Sequence, residues 1–267
     1  LKGRYSMVTG LGSTFGKPIT IKEAVLRWLV SRLYRLGITN SHKVFFQNPD
    51  DLNDFIQMKI LNDPGKAIRT MGSGVNLERF PRKQLPSERF VFLLISRLLK
   101  DKGVVEFVAA AESLHTRYPQ VRFVVVGPHD PSLRHAVETN DLLAWQSLRY
   151  IEFIGGVDDV RPWLERCSVF VLPSYYREGT PRSVLEAMAT GRAIITTDSP
   201  GCRETVRDGE NGFLIPPRNV PALVCAMEKL VNQSDLVVKM GEASYRRAVD
   251  EYDVDQVNKT ILSAMGL

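Results

Sequence analysis

The chain has 267 residues, 44% of them hydrophobic, and a formal net charge of +5 at pH 7. It is long enough for one large domain or two modest ones, and it lacks any uninterrupted apolar stretch that could cross a bilayer, which excludes a membrane-spanning segment within these residues. The excess of basic residues is too small to indicate binding to nucleic acid, and it suits a protein that binds small anions or lies on an anionic membrane.

Residues 1–86 are predicted to form part of a first α/β domain and a linker. Short apolar runs predict strands at residues 5–9, 43–47 and 67–71, and longer periodic runs predict helices at residues 21–36 and 49–61. These elements amount to the later half of a domain. The linker is predicted at residues 81–86, which begin and end with proline.

The predicted helix at residues 21–36 mixes basic and apolar side chains. They are Arg27, Arg32, Arg35, Trp28, Leu29, Leu33 and Tyr34. Two interpretations remain open at this point. Such a helix could rest on an anionic lipid surface, or it could pack against a core with its arginines in solvent.

Two candidate anion-binding side chains follow the next predicted strand. An apolar strand at residues 90–95 leads into a loop that contains Arg97 and Lys102, and a helix is predicted from residue 104 to residue 118. Arg97 presents a planar fork of donors that matches phosphate oxygens, whereas Lys102 is a compact point charge. The alternative is a lysine-rich loop that is merely solvated.

Two glutamates flank a glycine-threonine-proline turn that follows the predicted strand at residues 168–172. Thr180 is predicted as a helix N-cap and Pro181 as the first helical residue, while Gly179 lets the backbone approach a ligand. The unpaired amide groups and the positive end of the helix dipole favour a phosphate or diphosphate. Glu178 lies in the loop and Glu186 roughly 7.5 Å along the helix axis from Pro181, so they could bind the two ends of one extended ligand. The alternative is two acids without a ligand.

Residues 87–232 are predicted to form a second domain built on a parallel, doubly wound sheet. Its strands are expected at residues 90–95, 121–127, 151–154, 168–172, 193–197 and 212–215, alternating with helices. Ligands of such sheets bind beyond the carboxyl ends of the strands, so the loops of Lys102 and Glu178 are expected to lie together. Residues 233–267 are predicted to be helical and to cross back to the first domain.

Several motifs carry a resemblance to a known family. They are Ser96-Arg97 with Lys102-Gly103, Gly155-Gly156-Val157, Glu178-Gly-Thr-Pro with Glu186-Ala-Met, and Gly201-Cys202-Arg203-Glu204 with Asn211-Gly212-Phe213. In order and spacing they resemble family 4 of the retaining glycosyltransferases, and the resemblance spans essentially the whole chain. It implies the GT-B fold, in which two Rossmann-like α/β domains face each other across a cleft. The segments at residues 5–12, 44–50 and 72–80 look like those of enzymes that extend lipid-linked oligosaccharides.

The resemblance also implies a reaction and a set of site residues. A hexose or N-acetylhexosamine would move from a nucleotide sugar, expected to be UDP-linked, to a saccharide or lipid-linked saccharide, with retention and without a cofactor or metal ion. Arg97 and Lys102 would hold the diphosphate and stabilise the leaving group, and Glu178 would bind hydroxyl groups of the sugar. The donor-binding residues would be Glu186 at the ribose, Val157 near the base, Gly179, Thr180 and Gly12.

Two departures from the family's pattern qualify this expectation. The loop at residues 9–12 lacks the histidine that many relatives carry, and the first domain is shorter than the family's. Because the chain also begins at Leu1, we expect a fragment that does not transfer sugar efficiently by itself. The alternatives are a nucleotide-sugar epimerase of the same fold and a non-catalytic nucleotide-binding fragment.

The cysteine content bears on location. Cys167, Cys202 and Cys225 are odd in number and lack metal-ligand spacing, which predicts reduced thiols and no zinc site. We therefore expect a cytoplasmic protein, placed at the inner face of the membrane if the basic helix contacts anionic lipid. The expected partners are a nucleotide sugar and a saccharide or lipid-linked acceptor, and not nucleic acid.

Overall fold

The strands of the described residues form two separate parallel sheets. The computed structural model describes residues 3–12, 15 and 20–267. The N-terminal part of the chain contributes a sheet of three strands, and the part that follows contributes a sheet of six. The predicted α/β class is confirmed.

The N-terminal sheet is small, and aromatic side chains pack its helices onto it. In chain order its elements are β1 (Tyr5–Val8), α1 (Ile21–Thr39), β2 (Lys43–Phe46), α2 (Pro49–Gln57) and β3 (Ala67–Arg69). The strands pair in parallel in the order β1-β2-β3. Phe55 of α2 packs edge-on against Phe46 of β2 and Tyr34 of α1. These contacts pack the second half of α2 against β2 and α1.

Helix α2 is shorter than predicted. It ends at Gln57, whereas the sequence predicted a helix to residue 61. Lys59 adopts a left-handed φ of 53°, and the amide group of Ile60 donates back to the Phe55 carbonyl. A left-handed residue closes a helix at its C-terminal end, so the apolar side chains that follow turn inward without continuing the helix.

The larger sheet contains six parallel strands with helices between them. Its elements are β4 (Val91–Ile95), α3 (Val104–His115), β5 (Arg122–Val126), α4 (Thr139–Gln146), β6 (Ile151–Gly155), α5 (Arg161–Glu165), β7 (Val169–Leu172), α6 (Arg182–Ala189), β8 (Ala193–Thr197), β9 (Gly212–Ile215) and α7 (Val220–Asn232). The strand order is β6-β5-β4-β7-β8-β9. Each predicted strand of this part is present, within two residues of its predicted ends.

Both faces of the larger sheet are buried, which explains why its strands are continuous apolar runs. Phe92 and Leu94 of β4 face one core cluster, and Leu93 and Ile95 face the other. Alternate side chains of a strand point to opposite faces, so a strand covered by helices on both sides needs apolar residues at every position. The order of the strands reverses between β4 and β7, and this places the switch point of the sheet between the loops that follow them.

Two helices complete the chain, α8 (Ser234–Glu251) and α9 (Val254–Met265). Both helices contact the N-terminal part of the chain at their ends. Asp253, between the helices, forms a β-bridge with Val75, and the Tyr5 hydroxyl of β1 donates to the carbonyl of Met265, the last residue of α9, at 3.0 Å. In the described part of the chain, each helix is too short or too polar to span a membrane.

Candidate active site

A cleft of about 530 Å³ opens at the carboxyl ends of the strands around the switch point. Seven of the eight predicted site residues line it: Arg97, Lys102, Val157, Glu178, Gly179, Thr180 and Glu186. They come from the loops after β4, β6 and β7 and from α6. Residues far apart in sequence meet here because all of these strands are parallel and end at the same edge of the sheet.

Lys102 and Glu178 form an ion pair on the floor of the cleft. Their side chains are 13% and 12% exposed. The Ser174 hydroxyl donates to the same Glu178 oxygen at 3.2 Å, and the Lys102 ammonium lies 5.0 Å from the centre of the Tyr176 ring. The pair joins the loops after β4 and β7, so a cation suited to phosphate lies directly beside a carboxylate suited to sugar hydroxyl groups.

Besides Arg182 at the start of α6, two guanidinium groups add positive charge to the cleft. Arg97 is exposed, and its side chain has no hydrogen-bond acceptor or ion-pair partner among residues 3–12, 15 and 20–267. Arg79, from the segment between β3 and β4, also lines the cleft and lies over the Phe80 ring at 5.8 Å. The sequence reasoning missed Arg79, whose one local signal is a cation beside an aromatic residue shortly before the linker.

Glu186 is nearly buried, and its side-chain oxygens are available to a ligand. Its side chain is 15% exposed, and Arg182 is its nearest cation at 3.9 Å. Burial raises the pKa of Glu186, while the charges of Arg182 and Arg79 act in the opposite direction. A buried carboxyl group without a close donor gains from hydrogen bonds to hydroxyl groups, which a ribose supplies.

Helix α6 begins one residue later than predicted, and Thr180 is not its N-cap. The helix starts at Arg182, with Pro181 at the cap position and no side-chain cap. The Thr180 hydroxyl donates to the Gln47 carbonyl at 3.3 Å and its amide group to the Gln47 side-chain oxygen at 3.1 Å. The hydroxyl and the amide group of Thr180 are therefore both hydrogen-bonded to Gln47, so the amide group is not available to a ligand in the cleft.

The helix start can still bind an anion. The Arg182 and Ser183 amide groups line the cleft and donate to no backbone or side-chain acceptor in the described residues. They belong to the positive end of α6, so the predicted attraction for phosphate moves from Thr180 to these two residues.

The two glycines of the predicted site serve contacts between the sheets. A β-carbon at Gly179 would lie 2.2 Å from the Gln47 side-chain oxygen and 2.4 Å from the Thr9 carbonyl. The glycine therefore permits the two parts of the protein to touch. Gly12 is outside the cleft lining, and its amide group donates to the Arg177 carbonyl at 3.2 Å. Its assignment to donor binding stays a prediction.

In the described part of the chain, no group of three or more His, Cys, Asp or Glu side chains is placed to hold a metal ion. The acidic loop after β6 is engaged locally, since Arg161 donates to both carboxylate oxygens of Asp159 at 2.8 to 3.1 Å. These hydrogen bonds lower the pKa of Asp159 to about 2.

Comparison with known proteins decides the family. A family model described as glycosyl transferases group 1 matches residues 89–233, which is more than half of the chain. The chain belongs to this family. It is 28% identical over 263 residues to the N,N'-diacetylbacillosaminyl-diphospho-undecaprenol alpha-1,3-N-acetylgalactosaminyltransferase of Campylobacter jejuni, an alignment that covers 94% of this chain and 66% of that enzyme.

Solved structures show that this member of the glycosyl transferases group 1 family has the GT-B fold. Sucrose-phosphate synthase from Thermosynechococcus elongatus superposes with a TM-score of 0.81 at 20% identity, covering 97% of this chain and 66% of that one. Anabaena HepE in complex with UDP superposes with a TM-score of 0.80 at 18% identity, covering 98% and 71%. The chain spans 54–66% of the length of three curated relatives that it matches.

Proposed function

We propose that the cleft binds a nucleotide sugar, with UDP as the nucleotide, and that the chain is the donor-binding part of a retaining glycosyltransferase. The observation that carries the proposal is the pairing of Lys102 with Glu178 at the switch point. Around this pair lie the Arg97 guanidinium, which has no partner among the described residues, and the Glu186 carboxylate, whose ion pair with Arg182 is long at 3.9 Å. A diphosphate needs the cations, and the sugar and ribose need the carboxylates. HepE, which shares the fold, has been crystallised with UDP and with UDP-glucose.

Each group has a place along the donor. Arg97 and Lys102 neutralise the diphosphate, assisted by the first amide groups of α6. Glu186 accepts hydrogen bonds from the ribose, and Val157 lies near the base. Glu178 accepts hydrogen bonds from hydroxyl groups of the sugar, so its contact with Lys102 joins the sugar end of the site to the diphosphate end. Thr180 shapes the wall of the site without offering its amide group.

The chemistry assigned to the protein is electrostatic. The acceptor hydroxyl attacks the anomeric carbon on the face from which the diphosphate leaves, the glycosidic bond to the diphosphate breaks, and a diphosphate oxygen takes the acceptor proton. Cations placed beforehand stabilise the charge that develops on the leaving group. Glu178 is held by an ammonium and a hydroxyl group, which makes it a poor nucleophile, and no covalent step is assigned to it.

The acceptor is proposed to be a saccharide or lipid-linked saccharide. The Campylobacter relative is named for transfer to a diphospho-undecaprenol-linked sugar. Helix α1 supplies a surface that suits a lipid acceptor: large apolar side chains along its length are exposed, among them Leu33 at 66% and Leu36 at 72%. Arg32 and Arg35 lie beside them and would contact anionic headgroups, as expected of a helix that lies in a membrane interface.

The donor proposal is tested by calorimetric titration of the chain with UDP, GDP and ADP. UDP should bind preferentially. Arg97→Ala and Glu186→Gln should each weaken UDP binding by about 10- to 150-fold, the range expected for one hydrogen bond to a charged group. Arg166→Ala, an exposed arginine outside the cleft lining, is the matched control and should leave the affinity unchanged.

Two outcomes would count against the donor proposal. One is a folded chain that binds none of the three nucleotides, and the other is an equal loss of affinity in all three variants. If UDP binds, product analysis with a UDP-sugar separates transfer to an acceptor from epimerisation and from binding without turnover.

The membrane contact is tested by flotation with vesicles. The chain should co-float with vesicles that contain phosphatidylglycerol, and it should not co-float with purely zwitterionic vesicles. Leu29→Glu with Leu33→Glu should abolish flotation, while Leu143→Glu, at a position 60% exposed on α4, should not. Equal binding to both kinds of vesicle, or loss of binding in the control, would argue against a basic lipid-facing surface on α1.

A further inference from the structure

The loop that carries Glu178 is held in place by the N-terminal sheet. The side-chain amide of Asn48, in the loop after β2, donates to the carbonyl groups of Glu178 and Gly179 at 3.0 and 3.1 Å. Gln47, the preceding residue, accepts the Thr180 amide group at 3.1 Å. Two consecutive peptide groups of the β7–α6 loop, 178–179 and 179–180, are therefore bonded through three polar atoms by two neighbouring side chains that follow β2.

Asn48 is itself fixed. It is completely buried and caps α2, since its side-chain oxygen accepts the Asp51 amide group at 2.8 Å. Its side-chain nitrogen also donates to the Asp51 carboxylate at 3.0 Å, and that carboxylate pairs with Arg177 at 3.2 Å. The side chain therefore has one orientation, in which its nitrogen donates both to the Asp51 carboxylate and to the loop.

The backbone contact and the cleft contact act on the same residue from opposite sides. The carbonyl of Glu178 is bonded to Asn48, while its carboxylate is bonded to Lys102 and Ser174. The backbone of Gly179 lies against the Gln47 side chain, so close that a β-carbon at residue 179 would collide with the Gln47 side-chain oxygen. Buried carbonyl groups require a donor, so removing Asn48 leaves two of them unsatisfied and releases the backbone that aims Glu178.

We propose that Gln47 and Asn48 are positioning residues that set the sugar-binding carboxylate of Glu178 from the neighbouring sheet. The expected effect on sugar binding rests on the proposed function, because that proposal assigns Glu178 to the transferred sugar. It assigns the N-terminal part of the chain a role in donor recognition. Nucleotide contacts then depend on the larger sheet alone, whereas the sugar contact depends on both sheets.

The test compares Asn48→Ser with Asn219→Ser. Both replacements keep a side chain that can cap a helix, because Ser and Asn cap about equally well. Asn219 caps α7 and its side chain accepts the Ala222 amide group, so the control reproduces the change in the cap without the contacts to the loop. Gln47→Met is a second variant, which removes the acceptor of the Thr180 amide group.

The first measurement is amide hydrogen exchange of residues 177–180 in the ligand-free chain. Exchange there should be at least about tenfold faster in Asn48→Ser and Gln47→Met than in wild type, and unchanged in the control. The second is the ratio of affinities for UDP-glucose and UDP. That ratio should fall by about tenfold in both variants while the affinity for UDP stays within about twofold of wild type.

Unchanged exchange in both loop variants overturns the inference, and so does faster exchange with an unaltered affinity ratio. A parallel loss of UDP affinity would also overturn it, because it would show a general loss of structure in place of positioning. If wild type binds no UDP, the proposed function fails in this chain, and the exchange measurement still decides whether the two side chains hold the loop.

Discussion

The ion pair on the cleft floor gives a test of how the site is built. Lys102→Met replaces the ammonium with an apolar group of similar length and leaves the Glu178 carboxylate with the Ser174 hydroxyl as its remaining side-chain partner. Removing one member of a fully buried pair costs about 3–5 kcal/mol. Because these side chains are 13% and 12% exposed, we expect a lower cost, about 2–3 kcal/mol.

The assay is urea unfolding of wild type, Lys102→Met, Glu178→Gln and the double variant, followed by circular dichroism. With a urea m-value of about 2–3 kcal/mol/M, the free-energy loss in Lys102→Met corresponds to a midpoint about 1 M lower. The double variant should be more stable than the sum of the single changes predicts, by about 1–2 kcal/mol, since it leaves no carboxylate unpaired.

Lys100→Met is the matched control for this experiment. Lys100 pairs with Glu138 on the surface, where the two side chains are 40% and 68% exposed. Water screens such pairs, so the control should show no measurable change in midpoint. If Lys102→Met is no more destabilising than Lys100→Met, or if the effects of the cycle simply add, the pair on the cleft floor is not the coupled unit described here.

Three further outcomes are expected. Burial raises the pKa of Asp51 from 3.8 to about 6, although hydrogen bonds from Asn48 and Arg177 lower it. Because the pKa is higher in the folded state than in the unfolded state, the stability that Asp51 contributes is complete below about pH 4 and is lost as the pH rises through about 6. Urea unfolding should show that the free energy of unfolding of wild type falls by up to about 3 kcal/mol relative to that of Asp51→Asn between pH 4 and pH 7, and a constant difference would refute this. Gly179→Ala should lower the thermal midpoint while Gly37→Ala, whose β-carbon meets nothing within 4 Å, should not. Cys225 is the exposed thiol, so a thiol reagent should modify one cysteine in the native chain and three after unfolding; three in the native chain would contradict the fold.

Much of the larger sheet could be predicted because its signals are local. The strand predicted at residues 193–197 is β8 with the same ends, and the run of buried residues from Phe92 to Ile95 is continuous because helices cover both faces. The loops of Lys102 and Glu178 could be placed together from the parallel order of the strands alone. Family membership and fold then followed from motifs whose spacing is visible in the chain.

The details of the site depend on contacts that local patterns do not contain. Thr180 has the sequence signature of an N-cap, yet Gln47, which is distant in sequence, binds its hydroxyl and amide groups. A cap contributes about 1 kcal/mol, which a pair of buried hydrogen bonds offsets. Gly12 belongs to a similar contact and not to the cleft.

The sequence by itself determined the α/β class, the alternation of strands and helices and the chemistry of the loops, because periodicity and turn residues act within about ten positions. The tertiary structure alone decided which groups remain available to a ligand. Among the described residues Arg97 has no partner, and Glu186 has a long ion pair with Arg182 at 3.9 Å, whereas the amide group of Thr180 is already hydrogen-bonded. The reason is that a hydrogen-bonding group binds whichever partner the folded chain brings closest, and that partner lies elsewhere in the sequence.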